Sequence, residues 1–134
     1  MGTMTHGDDL ELIRDLPEAI SDLVGREVRV DLVGVTRGSA PKGMDKLEFP
    51  SPQYASFVRW LYSQRARWSV GLAPLCASEV NDAKSDLKLL EYAALGVPCV
   101  ASDRGPYAHQ DEMAELAAID PSQWAERCAL LMLD

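Results

Sequence analysis

Apolar residues return every three or four positions from residue 8 to residue 24, at Leu10, Ile13, Leu16, Ile20 and Leu23. That spacing predicts an amphipathic helix. Pro17 falls inside the run and is expected to end or kink a first segment there, and Gly25 stops the helix. Residues 28–35 alternate and then turn wholly apolar, as a buried parallel strand does. A loop over 36–45 carries two glycines and one proline, and residues 46–49 form a short strand closed by Pro50. Residues 52–67 read as a second helix, with Tyr54, Phe57, Val58, Leu61 and Tyr62 on its inner face.

A strand over 69–75, a polar loop over 76–82 and a helix over 84–95 come next. Gly96 ends that helix and leads into an apolar strand at 99–102, followed by the turn Asp103-Arg104-Gly105-Pro106. Residues 113–119, rich in Ala and Glu, read as a further strand. Asp120-Pro121-Ser122 opens a last helix that runs to about residue 133. Strands alternating with helices mean an α/β domain with a mostly parallel sheet. Ligands of such sheets bind beyond the carboxyl ends of the strands, where the loop over 74–82 lies.

Length and composition narrow the function classes. A chain of 134 residues is one domain with room for a real core. The formal net charge of −8 argues against nucleic acid, whose phosphates demand many Lys and Arg, but leaves room for a small phosphorylated ligand. Cys76, Cys99 and Cys128 are widely spaced and odd in number, so they make neither a metal pattern nor a disulfide framework. A reducing, cytoplasmic setting is the expectation. No apolar run is long enough to cross a bilayer, which leaves peripheral membrane association open.

The helix over 84–95 carries the candidate chemistry. At roughly 100° per residue, Leu87, Leu90 and Ala94 share its buried stripe, while Lys84, Lys88, Glu91 and Leu95 line the border. A cation in a helix's first turn opposes the helix dipole unless an anion sits there too. Glu91, at the edge of the buried stripe, needs a partner, either Lys88 or a ligand hydroxyl. Ser85 can bond a phosphate or cap the helix. His109 reads as a surface loop residue. Arg59, Arg65 and Arg67, interleaved with Trp60 and Trp68, read as solvated arginines and packed indoles rather than a nucleic-acid platform. Lys42, among glycines, is weak evidence for a phosphate contact.

Three blocks carry a resemblance: Val70-Gly71-Leu72-Ala73-Pro74-Leu75, Ala83-Lys84-Ser85-Asp86-Leu87-Lys88, and the run from Glu91 through Gly96-Val97-Pro98 to Ser102. Together they resemble the donor-binding, C-terminal half of GT-B glycosyltransferases, nearest to the retaining, family 4-like group (glycosyl transferases group 1). Gly2-Thr3-Met4-Thr5-His6, Asp103 to Tyr107 and Asp120-Pro121 through Trp124 fit in register, so the likeness spans most of the chain.

The resemblance implies a doubly wound, Rossmann-like sheet flanked by helices, one half of a GT-B fold. It implies a nucleotide diphosphate sugar as donor substrate, with no obligatory metal. The diphosphate would lie at the helix N-terminus, held by backbone N–H groups near Lys84, Ser85 and Asp86 and by the Lys84 ammonium. Glu91 matches the second glutamate of the family's Glu-x7-Glu motif and would accept hydrogen bonds from the ribose. The first glutamate is replaced by Ala83, and Asn81 or Asp82 would have to serve the sugar instead. Lys88 would reach the phosphates or pair with Glu91, the pair being favoured. The loop with Thr3 and His6 would face the diphosphate and acceptor cleft, although His6 also reads as an exposed terminal histidine. No catalytic residue is assigned.

The implied enzyme needs an N-terminal acceptor domain as partner, so the isolated chain is expected to be inactive. In the family a strand in mid-sheet precedes the Gly2-Thr3 stretch. The expectation is a single domain, residues 1–134, cut short at its N-terminal edge, with its sheet filled another way or by a partner chain. Apolar surface exposed at such breaks favours self-association of the fragment. A non-catalytic binding module on the same frame is the alternative, which the loss of the glutamate at Ala83 would favour. A phosphoacceptor receiver-like domain ranks low, because the acidic cluster that Mg²⁺ requires is missing.

Overall fold

The computed structural model describes residues 11–33, 39–49, 51, 53–74, 87–110, 114–117 and 121–133. The elements follow one another in the order α1 (Leu16–Val24), β1 (Val30–Leu32), β2 (Met44–Lys46), α2 (Tyr54–Gln64), β3 (Gly71–Ala73), α3 (Leu87–Leu95), β4 (Cys99–Ser102), β5 (Glu115–Ala117) and α4 (Pro121–Leu133). A short 3₁₀ turn, Arg65–Arg67, extends α2. All described pairings are parallel: β1 with β2 in one sheet, and β3–β4–β5 in another. The chain is thus α/β, with short parallel sheets flanked by helices, an arrangement compatible with a Rossmann-like fold.

Helices cover both faces, and β4 shows how. Val100 points into a core with Ile13, Leu16 and Ile20 on the α1 side and Trp124, Ala125 and Cys128 of α4. Cys99 and Ala101 point the other way, onto Leu89 and Tyr92 of α3. Every residue of β4 is buried, which is why this strand reads as a continuous apolar run. Leu32 of β1 and Met44 of β2 join the first core, so the α1–α4 layer spans both sheets.

Several expected boundaries shift for identifiable reasons. The expected break near Pro17 falls just before it: the helix at Glu11 gives way to turns over 12–15, and α1 starts at Leu16 with Pro17 in its first turn, where its missing N–H costs nothing. Gly25 takes the left-handed conformation that ends α1, and its N–H bonds the Ser21 carbonyl. The second strand runs over Met44–Lys46 rather than 46–49, because Met44 is a core residue and the Gly43 carbonyl already accepts from the Val30 N–H at 3.0 Å. On α2 only Leu61 of the expected inner face is fully buried, while Tyr54, Val58 and Tyr62 are exposed. Phe57 and Trp60 instead pack with Phe49, the two phenyl rings meeting edge to face at 5.0 Å.

Candidate functional site

The connection from β3 through α3 to β4 builds the candidate site. β3 runs to Ala73 with Pro74 after it, α3 is described from Leu87, and the chain returns in parallel at Cys99. Gly96, at φ 71°, closes α3 in the left-handed region, and the Val97 N–H reaches back to the Tyr92 carbonyl at 3.0 Å. This helix ending needs glycine at the turn and an apolar residue after it, and Val97 supplies the latter from a buried position. The carboxyl ends of β3 and β4 therefore lie at the end of the sheet where α3 starts.

The face that α3 buries differs from the expected stripe. Leu89 is wholly buried and Tyr92 nearly so, whereas Leu90 and Ala94 are exposed. Tyr92 decides the rotation. Its ring lies against Gly71, where an added Cβ would come within 2.7 Å of the ring's Cζ. Its hydroxyl donates to the Leu72 carbonyl at 2.8 Å and accepts the Leu72 N–H at 3.2 Å. Burial pushes the phenol's pKa well above its ordinary value, so the hydroxyl keeps its proton. Turning Leu89 and Tyr92 inward carries Lys88 and Glu91 to half-buried positions on the flanks.

Of the site residues read from sequence, the structure describes Lys88 and Glu91. Thr3, His6, Lys84, Ser85 and Asp86 lie outside the described residues, as do Asn81, Asp82 and Ala83. Among the described residues, Lys88 and Glu91 form no ion pair with each other. Lys88 lines a cavity of about 460 Å³. His109 is an exposed loop residue at φ 68°, in keeping with a surface position.

The cavity lies between β1 and β3, which do not pair among the described residues. A gap in mid-sheet is in keeping with the expectation drawn from the resemblance, whereas the side chains that line it were not legible in a local pattern. Ile20 and Cys128 line it from the α1–α4 layer, Leu61 and Tyr92 from the opposite one. On the α3 side the Trp68 indole N–H donates to the Asp31 carboxylate at 2.8 Å, a contact across the gap, and Arg67 stands 3.5 Å from the same carboxylate. Asp45 holds Arg29 through two hydrogen bonds, of 2.6 and 2.8 Å, and its own pKa is lowered by them.

The described residues include no cluster of three or more metal-ligating side chains and no helix long and apolar enough to cross a membrane. No family model, curated protein or solved structure matches the chain.

Proposed function

We propose that the chain is the nucleotide-sugar-binding domain of a retaining GT-B glycosyltransferase, built on a doubly wound Rossmann-like frame. The observation that carries this reading is the β3–α3–β4 unit. It puts a helix start and two parallel strand ends together, with Lys88 and Glu91 half-buried on the helix that follows. Such an edge is where α/β sheets take phosphorylated ligands, the backbone N–H groups of the helix facing the anion.

In this reading Lys84, Ser85 and Asp86 bind the diphosphate, and Thr3 and His6 contribute polar contacts to it. Glu91 accepts from the ribose hydroxyls. The protein's contribution to transfer is to stabilise charge on the departing diphosphate with donors fixed in advance. Transfer itself needs a second, acceptor-binding domain, and the enzyme works in the cytoplasm or at its membrane surface.

Calorimetric titration with UDP, GDP and their sugars tests the reading. Saturable binding is expected, weakened about tenfold by Lys84→Ala, the scale of one charge-assisted hydrogen bond. Glu91→Gln should selectively lose the preference for UDP over its 2′,3′-dideoxy analogue. Binding by none of these nucleotides overturns the proposal.

A further inference from the structure

The large apolar side chains left exposed on the described residues are not scattered. Of seven, three lie on α2 (Tyr54, Val58 and Tyr62) and three on the α1–α4 layer (Leu23, Leu130 and Leu133). Single exposed apolar residues need no explanation, whereas grouped ones mark contact surfaces. Tyr54, Val58 and Tyr62 recur every four positions and form one stripe along α2. Leu23 lies in the last turn of α1, and Leu130 and Leu133 in the last turn of α4, the helix packed beside it.

The two faces carry opposite charge. Residues 49–78 hold three arginines and no Asp or Glu, in a chain of net charge −8. Arg67 reaches Asp31, which leaves Arg59 and Arg65 exposed on the α2 side. The Arg65 guanidinium lies 3.8 Å from the centre of the Tyr62 ring and donates to the Tyr62 carbonyl at 2.8 Å, which fixes a cation on the apolar stripe. On the other face Asp15, Glu18 and Asp22 of α1 and Glu126 of α4 are exposed, in no ion pair among the described residues. Glu11 is matched by Arg14, and Arg127 by Glu115. The exposed charges at the margins cancel in sign, Lys46 with Glu48 before α2 and Arg26 with Glu27 after α1. Glu18 and Asp22 are like charges one turn apart, and Asp22 stands at the negative end of the helix dipole. A cation against this face relieves both.

We propose that the two faces bind each other between copies of this chain, α2 of one copy lying on the α1–α4 layer of the next. Arg59 and Arg65 then meet Glu18 and Asp22, and the Tyr–Val stripe meets the leucines. Either face laid on its own like would set arginine against arginine or carboxylate against carboxylate, so a two-fold pair is disfavoured. Because α2 stands across the cavity from the α1–α4 layer, each contact leaves one face free at either end, and copies add in a row. The contact uses neither the gap between β1 and β3 nor the start of α3, and is independent of nucleotide-sugar binding.

Sedimentation velocity of the whole chain tests this at about 0.1 M salt, where repulsion between the acidic copies is screened beyond about 10 Å. The mean mass should rise with concentration up to about 1 mM, the range of a weak contact, without levelling at two copies. It should fall again at about 1 M salt, where screening acts within about 3 Å. Arg59→Gln with Tyr62→Gln removes one face, and Asp22→Asn with Leu130→Gln removes the other. All four side chains are exposed, so both variants should fold. Each alone should stay a single copy, while their equal mixture, with one intact face of each kind, should stop at a pair. A wild-type chain that stays single, a mass that levels at two copies, or a variant that still associates alone overturns the proposal. So does a mixture that forms no pair. Association undiminished at about 1 M salt assigns the contact to apolar surface alone, and also overturns it.

Discussion

Gly71 and Tyr92 show how a single close approach sets the position of a whole helix. With the Tyr92 ring against the backbone of β3, even a methyl group at residue 71 forces the ring or the strand aside. Gly71→Ala should therefore cost about 1–3 kcal/mol, the range for overpacking a closed core. Urea denaturation checks this, and an unchanged midpoint would show that α3 can pivot freely. The buried thiols give a pH signature. Burial pushes Cys99 up to about 11 and Cys128 up to about 12, from an ordinary 9.0. Above that ordinary value the unfolded chain releases these protons while the folded one holds them, so stability is complete below pH 9 and falls as pH rises through the folded values. Tyr92, also raised by burial, acts in the same direction. Denaturation midpoints measured from pH 8 to 11 should fall, and replacing both cysteines by alanine should make the decline shallower.

At the scale of elements, α2 tests which face a helix has chosen. Leu61 is 5% exposed and Tyr54 73% exposed, although both belong to the face that the sequence pattern would bury. Leu61→Ala should destabilise by about 2–5 kcal/mol, whereas Tyr54→Gln should stay within about 0.5 kcal/mol. Thermal melts of the two variants decide this directly, and similar losses would restore the expected face. The contrast shows what was legible in the sequence. β4 and α4 were readable to the residue, one as an apolar run between Pro98 and Asp103, the other as a helix opened by Pro121. The rotations of α2 and α3 were not, because Tyr and Val count as apolar in a periodicity. What settles the matter is tertiary: Phe49 draws in Phe57 and Trp60, and the Leu72 backbone draws in the Tyr92 hydroxyl. For the candidate site, sequence located the helix and the half-buried Lys88 and Glu91. Their mutual pairing, expected from the i, i+3 spacing, is not among the described ion pairs.

For the molecule as a whole, the division into two sheets raises the question of whether it unfolds in two steps. The hydrogen-bond ladders are separate, but the apolar core is not. Leu32 of β1 and Met44 of β2 share a cluster with Val100 of β4, and α1 and α4 supply the side chains between them. Exposing either sheet would open that cluster to water on both sides, at about 25 cal/mol for each Å² of apolar surface. Loss of one ladder alone therefore leaves the rest without half its core, and a half-folded state should not accumulate. The expected result is one cooperative transition. Amide exchange measured in rising urea should show Leu32, on the smaller sheet, and Ala101, on the larger, converging on one opening free energy. Met44→Ala, although it alters only β2, should lower both values together by about 2–5 kcal/mol, the usual cost of truncating a buried methionine. If Leu32 opened early while Ala101 kept its protection, the α1–α4 layer would not be joining the sheets. The slot between β1 and β3 would then act as a boundary between two folding units rather than as a gap within one.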